Sequence, residues 1–463
     1  MIAAEPKTTG QYQPYPEYKD SGVEWLGDVP TDWRVIKLGF LATKIGSGKT
    51  PSGGATVYVD DGITFLRSQN VYDDGLRLDD VVHIAPDIDM EMAHSRVKPM
   101  DILINITGAS IGRTCIVPLG IGSANVNQHV CIIRLNKTEL IRFVSWAVKA
   151  QSTKAQIDNA QTGAAREGLN FEQIASLLLS LPPETECEQI SDFLDYETAR
   201  IDRLIVQQQR LIELLKEKRQ AVISHAITKG LNPDAPMKDS GIEWLGQIPD
   251  HWSVVSLKYL VQEKVAGPYG ASLTKAMYTN SGYRVYGQQQ VINDDFHFGD
   301  YFISEEKYAE MKRYQVFPGD VLVSVMGTIG KVAVVPNDVA AGIINPRLVR
   351  YKFSKMIKPH FVQTLMMSVN YQSRLREASQ GSTMEGLNMG ILGDLPMVYP
   401  CVNEQDSILE FVLEKNKNYS STIEKAEQLV ALAQERRTAL ISAAVTGKID
   451  LRGWTAPAEE VVA

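Results

Sequence analysis

Residues 19–33 read KDSGVEWLGDVPTDW, and residues 238–252 read KDSGIEWLGQIPDHW, 219 positions later. Matches continue downstream in the same order. Pro99-Met-Asp-Ile-Leu-Ile, Gly108, Ile111-Gly-Arg and Ile116-Val-Pro correspond to Pro318-Gly-Asp-Val-Leu-Val, Gly327, Ile329-Gly-Lys and Val334-Val-Pro, the offset falling to 218 after a one-residue deletion. GAAREGLN at 163–170 then matches GSTMEGLN at 381–388, and EKRQAVISHAIT at 217–228 matches ERRTALISAAVT at 435–446. Solenoid repeats have periods of about 20 to 50 residues. A period near 219 therefore means two copies of a domain-sized unit.

Composition bounds the class. With 463 residues, 44% hydrophobic and 22% charged, the chain can fill two cores of ordinary domain size. No apolar run reaches the roughly 18 to 20 residues needed to span a bilayer, and the first 20 residues lack the pattern of a signal peptide, so a cytoplasmic location is expected. Cys115, Cys131, Cys187 and Cys401 form no CxxC pair, which points to reduced cysteines rather than a zinc site or a disulfide framework. A net charge of -8 argues against indiscriminate binding to nucleic acid, because such binding comes from Lys and Arg neutralising phosphates. A DNA-binding chain of this charge must concentrate its cations locally or share backbone contacts with a partner.

The pattern changes near residue 190. Before it, short runs such as ITFL, DILINI and HVCIIRL between Gly, Pro, Asn and Asp clusters read as strands and turns, with helix around 138–159. Residues 189–225 contain no Gly or Pro, and Leu194, Ile201, Leu204, Leu211, Leu215 and Val222 fall on heptad a and d positions, interrupted by Gln208 and Lys218. A helix of about 35 residues, roughly 50 Å long, follows from 1.5 Å per residue. The second copy repeats it over 408–445, with a stripe of Ile423, Ala426, Leu429, Val430, Ala433 and Leu440; Gly230 and Gly447 close the two helices. Such a stripe packs either on its own domain or on the other helix. Pairing buries both stripes, and antiparallel pairing suits a tandem repeat.

The expected fold is therefore α+β: two related globular domains separated by two long helices that pair as an antiparallel coiled coil, with pseudo-two-fold internal symmetry. The boundaries are an N-terminal tail over 1–17, a first domain over 18–188, a central helix over 189–230, a second domain over 231–407, a C-terminal helix over 408–447 and a tail over 448–463.

Catalytic motifs are missing. Gly46-Ser-Gly-Lys-Thr50 falls short of a phosphate-binding loop, since Thr43 stands where Gly is required and Pro51, Gly53 and Gly54 follow. Its Lys49 and Thr50 still suit contact with DNA phosphate or groove. The seven histidines form no HExxH, and neither GxSxG nor GxGxxG occurs. No metal or cofactor is expected in this chain.

The positions where the copies disagree are more informative. TFLRSQN at 64–70 lies opposite RVYGQQQ at 284–290. Arg67, Ser68, Gln69 and Asn70, against Gly287, Gln288, Gln289 and Gln290, either read base edges or are surface residues that have drifted; Gln and Asn pair bidentately with adenine, and Arg with guanine. A second patch sets Thr107, Ser110 and Arg113 against Met326, Thr328 and Lys331, and Asn127, Gln128 and His129 against Asn345, Pro346 and Arg347. Arg113 and Lys331 keep their charge, which suits phosphate positioning or a surface ion pair. Trp25, Trp33, Trp244 and Trp252 read as packing anchors in preference to stacking platforms.

The duplicated DSG(V/I)EWLG motif, the stretch from GKTPSGG to ITFLRSQNV, IGR with NVNQHV, and EGLN leading through LPPETECEQI into LLKEKRQAVISHAITKG together resemble the specificity subunits of type I restriction-modification systems. The likeness spans about residues 18–454. It implies a non-catalytic chain that sets the DNA sequence recognised by a complex with two adenine-methylating modification subunits and with restriction subunits that translocate and cut DNA. Each domain would read half of a split, asymmetric site; the paired helices would fix the gap and dock the modification subunits. Catalytic groups and cofactors would belong to those other subunits. Half-sites about one DNA turn apart, roughly 34 to 36 Å, are expected. The rival classes are a protein-binding adaptor, which the acidity favours, and a self-sufficient nuclease or methyltransferase, which the missing motifs oppose.

Overall fold

The computed structural model describes residues 12–161, 168–380 and 386–457. The chain divides into two compact units, Met1–Gln209 with Gln428–Ala463, and Arg210–Glu427. Both divisions fall inside long helices. These run over Glu184–Lys229 and Val402–Val445, 46 and 44 residues, or about 69 and 66 Å at 1.5 Å per residue. They start earlier than 189 and 408 because Pro183 and Pro400 lie just outside the first turn, where a proline costs no hydrogen bond. Glu184 and Glu186 in the first turn of the earlier helix complement its positive end. Gly230 (φ 80°) and Gly447 (φ 70°) follow the ends in the left-handed conformation.

In the first unit the expected apolar runs become strands. An antiparallel sheet has the order Thr114–Ile116, Ile102–Asn105, Val130–Leu135, Ala42–Ser47. A second sheet has the order Arg96–Val97, Ala124–Val126, Ile63–Leu66, Val82–Ile84, Tyr58–Val59, with Ala124–Val126 parallel to Ile63–Leu66. Helices Ile141–Lys149 and Gln151–Gln161 occupy the stretch read as helical.

The second unit repeats the scheme by itself. Val261–Ala266, Leu348–Phe353, Val321–Ser324 and Val332–Val334 form its antiparallel sheet, and Tyr283–Tyr286 runs parallel to Gly342–Ile344 in a smaller one. The repeat is thus one of topology as well as sequence.

The duplicated sentence forms a hairpin and an anchor in each unit. Tyr18–Asp20 pairs with Asp28–Pro30, and Met237–Asp239 with Gln247–Pro249. Trp33 is fully buried and donates Nε1–H to Glu186 at 2.7 Å; Trp252 donates to Glu404 at 3.0 Å. Each tryptophan therefore pins the first turn of the long helix that follows its own domain. It also receives the end of the other long helix: a Cβ on Gly447 would lie 3.4 Å from Trp33 and 2.3 Å from Pro30, and one on Gly230 would lie 3.5 Å from Trp252. Burial raises the Glu186 carboxyl above its ordinary range, against the opposing hydrogen bond from Trp33.

The Pro-x-Asp motifs also have a structural task. Asp101 and Asp320 accept the backbone N–H of Lys98 and Phe317, at 2.7 and 2.8 Å, and pair with Arg134 and Arg350 on a neighbouring strand.

Within each unit the helix segments are antiparallel. In the first, Asp202 meets Arg437 at 2.9 Å while Glu186 lies 3.7 Å from Arg452. In the second, Arg219 donates to Ser420 at 3.3 Å while Gly230 lies beside Glu404. The seam differs in phase from the heptad reading. Ile201, Ile423 and Leu440 are buried, and Leu215, Val222 and Val430 half-buried, but Leu204, Leu211 and Leu429 are 41, 42 and 53% exposed. Ile205, Ile212 and Ile223 are shielded in place of the exposed leucines of the first helix, while Ala426 of the expected stripe is buried. Where leucine and isoleucine stand side by side, as at 204–205 and 211–212, both phases carry an apolar residue, so the pattern alone does not choose between them.

The segments expected as tails are partly built into the first unit. Tyr12 and Trp454 pack edge-on against Phe193, at 5.4 and 5.3 Å, and Asp450 donates its N–H to Gln13 O at 2.8 Å. Residues 1–11 and 458–463 lie outside the described residues. Among the described residues no helix is long and apolar enough to cross a membrane, and no group of three or more His, Cys, Asp or Glu is placed to hold a metal.

Candidate nucleic-acid interface

Parallel neighbouring strands end at the same edge of a sheet, so the loops that follow them are adjacent. In the first unit Ile63–Leu66 delivers Arg67–Asn70 beside Asn127, Gln128 and His129, which follow Ala124–Val126. In the second, Tyr283–Tyr286 delivers Gly287–Gln290 beside Asn345, Pro346 and Arg347, which follow Gly342–Ile344. A third loop joins each edge. Asn105 Nδ2 donates to Ser68 O at 2.8 Å and to Ser110 Oγ at 3.1 Å. Gln288 Nε2 donates to Met326 O and lies 3.4 Å from Thr328 O.

A fourth loop requires glycine. A Cβ on Gly48 would lie 1.7 Å from Val126 O, and one on Gly267 would lie 1.9 Å from Asn345 O, so no other residue fits this backbone approach. Lys49 and Thr50 continue from Gly48 as exposed residues.

Four residues expected among the DNA contacts instead build the loops. Asn70 is buried; its Oδ1 accepts the Arg67 N–H at 3.0 Å and its Nδ2 donates to Arg77 O at 2.9 Å. Gln290, its counterpart, is also buried, accepting from Gly287 N and donating to Phe298 O, both at 2.8 Å. Asn127 and Asn345 accept the N–H two residues on, from His129 at 3.0 Å and Arg347 at 2.9 Å. Amide side chains favour such local bonds; Asn127 is buried like Asn70 and Gln290, and Asn345 is half-buried.

The remaining candidates are accessible to different degrees. Arg67 donates to Asp80 O at 3.0 Å and Gln69 to Asp80 Oδ2 at 2.9 Å, both at exposed sites that a ligand can displace. Arg113 lies 4.8 Å from the centre of the Tyr72 ring, with Arg77 5.2 Å from the same ring. Lys331 is half-buried, and its backbone N–H donates to Ser324 Oγ at 3.0 Å. Gln289, Thr328 and Arg347 are exposed.

Within the expected second patch two loops are joined, and Tyr72 and Arg77 at the same edge were not among the sequence candidates. Thr107 Oγ1 lies 2.5 Å from His129 Nδ1, and Gln128 Nε2 lies 2.8 Å from His129 Nε2, so His129 links two loops. Tyr72 and Arg77 belong to a hairpin of Val71–Tyr72 and Gly75–Leu76, whose Asp-Asp-Gly turn is a sequence signal that could have identified it. The three buried cysteines are unsuited to thiolate chemistry: burial pushes Cys115, Cys131 and Cys187 up to about 12.

Comparisons with known proteins agree with this duplicated edge. The family of the type I restriction modification DNA specificity domain matches residues 30–214 and 249–431, each match running from the hairpin and anchor into a long helix. The EcoBI specificity subunit of Escherichia coli is 24% identical over 377 residues, covering 79% of this chain and 77% of that protein. The MjaVIII specificity subunit of Methanocaldococcus jannaschii is 23% identical over 437 residues, covering 92% and 94%. Among solved structures, a chain from work on assembly and conformational transition of the type I R-M system aligns with a TM-score of 0.65 at 16% identity, over 91% of this chain and 99% of that one. The HsdS subunit from Thermoanaerobacter tengcongensis aligns with a TM-score of 0.53 at 15% identity, over 91% and 98%. These structures share the fold.

Proposed function

The chain belongs to the type I restriction-modification DNA specificity family, with two copies of its domain, and on that premise we propose that each copy reads one half of a bipartite, asymmetric DNA site. It is a sequence-recognition subunit and contributes no catalytic centre. Specificity subunits of type I systems assemble with other restriction-modification subunits and with DNA.

The observation that carries the reading is the edge built twice on one plan. Gly48 and Gly267, Asn70 and Gln290, and Asn127 and Asn345 form equivalent loop frames. The residues set on those frames differ: Ser68, Thr107 and His129 against Gln288, Met326 and Arg347. A common frame with divergent polar groups suits two readers of different sequences.

Lys49, Arg113 and Lys331 would contact phosphates, positioning the duplex without reading it. With a net charge of -8, the chain would share the phosphate backbone with two modification subunits docked on the long helices. Restriction subunits would complete the assembly, which acts on DNA in the cytoplasm. Each long helix passes from one compact unit into the other, so helix length would set the gap between half-sites.

Exchange of residues 45–190 with those of another family member, followed by methylome sequencing, tests this reading. One half-site should change while the other half persists. Alteration of both halves would contradict it.

A further inference from the structure

Positions 129 and 347 are equivalent in the repeat, and each reaches across to another loop of its own domain. In the first domain His129 joins Thr107 and Gln128. In the second, Arg347 Nη1 donates to Gln288 Oε1 at 3.3 Å, and Gln288 Nε2 donates in turn to Met326 O. The backbone below Arg347 is stiffened by Pro346 and by the 2.9 Å bond from its N–H to Asn345 Oδ1. A Cβ on Gly287 would lie 2.7 Å from Asn345 Nδ2, so the Gln288 and Arg347 loops are in direct contact.

From this bracing we infer that Arg347, oriented by Gln288, reads a guanine in the half-site of the second domain. The inference deepens the reading of two half-sites and rests on it. Arginine has five N–H donors in a planar fork; Gln288 engages one nitrogen, leaving donors for two parallel bonds. In the major groove guanine offers a matching pair of acceptors, N7 and O6.

A phosphate also offers two oxygens, but two observations favour the base. Arg113 and Lys331 keep a cation in both copies, as a backbone contact requires, whereas Arg347 is replaced by His129. Moreover, the cross-loop partner of the braced side chain changes with it: Ser68 stands in the first domain where Gln288 stands in the second. The whole bracket varies as a unit on a constant frame. Bracing an exposed arginine also lowers the rotamer entropy lost on contact, which sharpens discrimination.

The test is methylome sequencing of the host strain carrying the full system with Arg347→Ala, Arg347→Lys or Gln288→Ala, beside the wild type and an exchange of residues 250–400. Arg347→Ala should relax one guanine position, within the half-site that the exchange rewrites, by roughly 5- to 150-fold in preference over other bases. Arg347→Lys, which keeps the charge but loses the fork, should retain overall methylation and relax the same position. Gln288→Ala should loosen that position to a smaller extent while the other half-site is unchanged.

A wild-type bipartite motif whose every position survives Arg347→Ala and Arg347→Lys overturns the guanine assignment and leaves the half-site reading standing. So does a uniform fall in methylation at unchanged sequence, which would make Arg347 a phosphate contact. Absence of any bipartite motif in the wild type would overturn the half-site reading itself.

Discussion

Gln289 and Gln290 are adjacent and identical in side chain, yet alanine at the two positions should fail in opposite ways. Gln290 is 5% exposed, and its amide closes two bonds of 2.8 Å, one from Gly287 N and one to Phe298 O. At about 0.5 to 1.5 kcal/mol for each neutral hydrogen bond, truncation costs about 1 to 3 kcal/mol. For a unit of this size a loss of about 2 kcal/mol lowers the melting temperature by roughly 4 to 8 °C. Gln289 is exposed, so its replacement should leave stability within about 0.5 kcal/mol and act on base preference. Scanning calorimetry of the full chain, paired with methylome sequencing of cells carrying each variant, separates the effects. A Gln290→Ala protein that melts like the wild type and differs only in sequence preference would refute the assignment of this side chain to the loop frame.

Met100 occupies a left-handed conformation (φ 69°) where the second copy has Gly319 (φ 82°). Met100→Gly should therefore raise stability by up to about 1 kcal/mol in denaturant titration, and destabilisation would argue against backbone strain at that turn. The carboxyl of Glu186 is raised by burial, so in the folded state it keeps its proton to a higher pH than in the unfolded chain. Stability from this group is present at acid pH and lost as pH rises from the unfolded carboxylate value through the folded one. Glu186→Gln should flatten that fall, whereas an unchanged slope in pH-dependent unfolding would exclude Glu186 as its source. Deleting residues 213–219 together with 420–426, seven around the Arg219–Ser420 contact, shortens each helix by about 10.5 Å while keeping its apolar stripe nearly in phase. The original gap should no longer be methylated; retention of that gap would show that helix length does not set it.

The chain's duplication is written openly in its sequence, because a hairpin with a buried tryptophan anchor tolerates little change. The long helices are equally legible, since dozens of residues without Gly or Pro between terminal glycines leave little alternative. Their seam is less so: Leu204 and Ile205 are both apolar, and only packing exposes the first and shields the second. The interface divides in the same way. Sequence comparison picked out its loops by finding where the copies diverge, but it counted Asn70 and Gln290 among the candidate readers on the strength of their amides. An amide that can pair with adenine can equally close a turn, and residue type is blind to that difference.

Sequence alone determined that there are two related domains, two long helices and two sets of divergent polar residues. Tertiary structure decided which of those residues belong to the frame and which are presented outward. It brings Gln288, Met326 and Arg347 together from three separate loops, a proximity created by parallel strands ending at one sheet edge and a glycine-tight backbone approach, and therefore invisible to spacing along the chain.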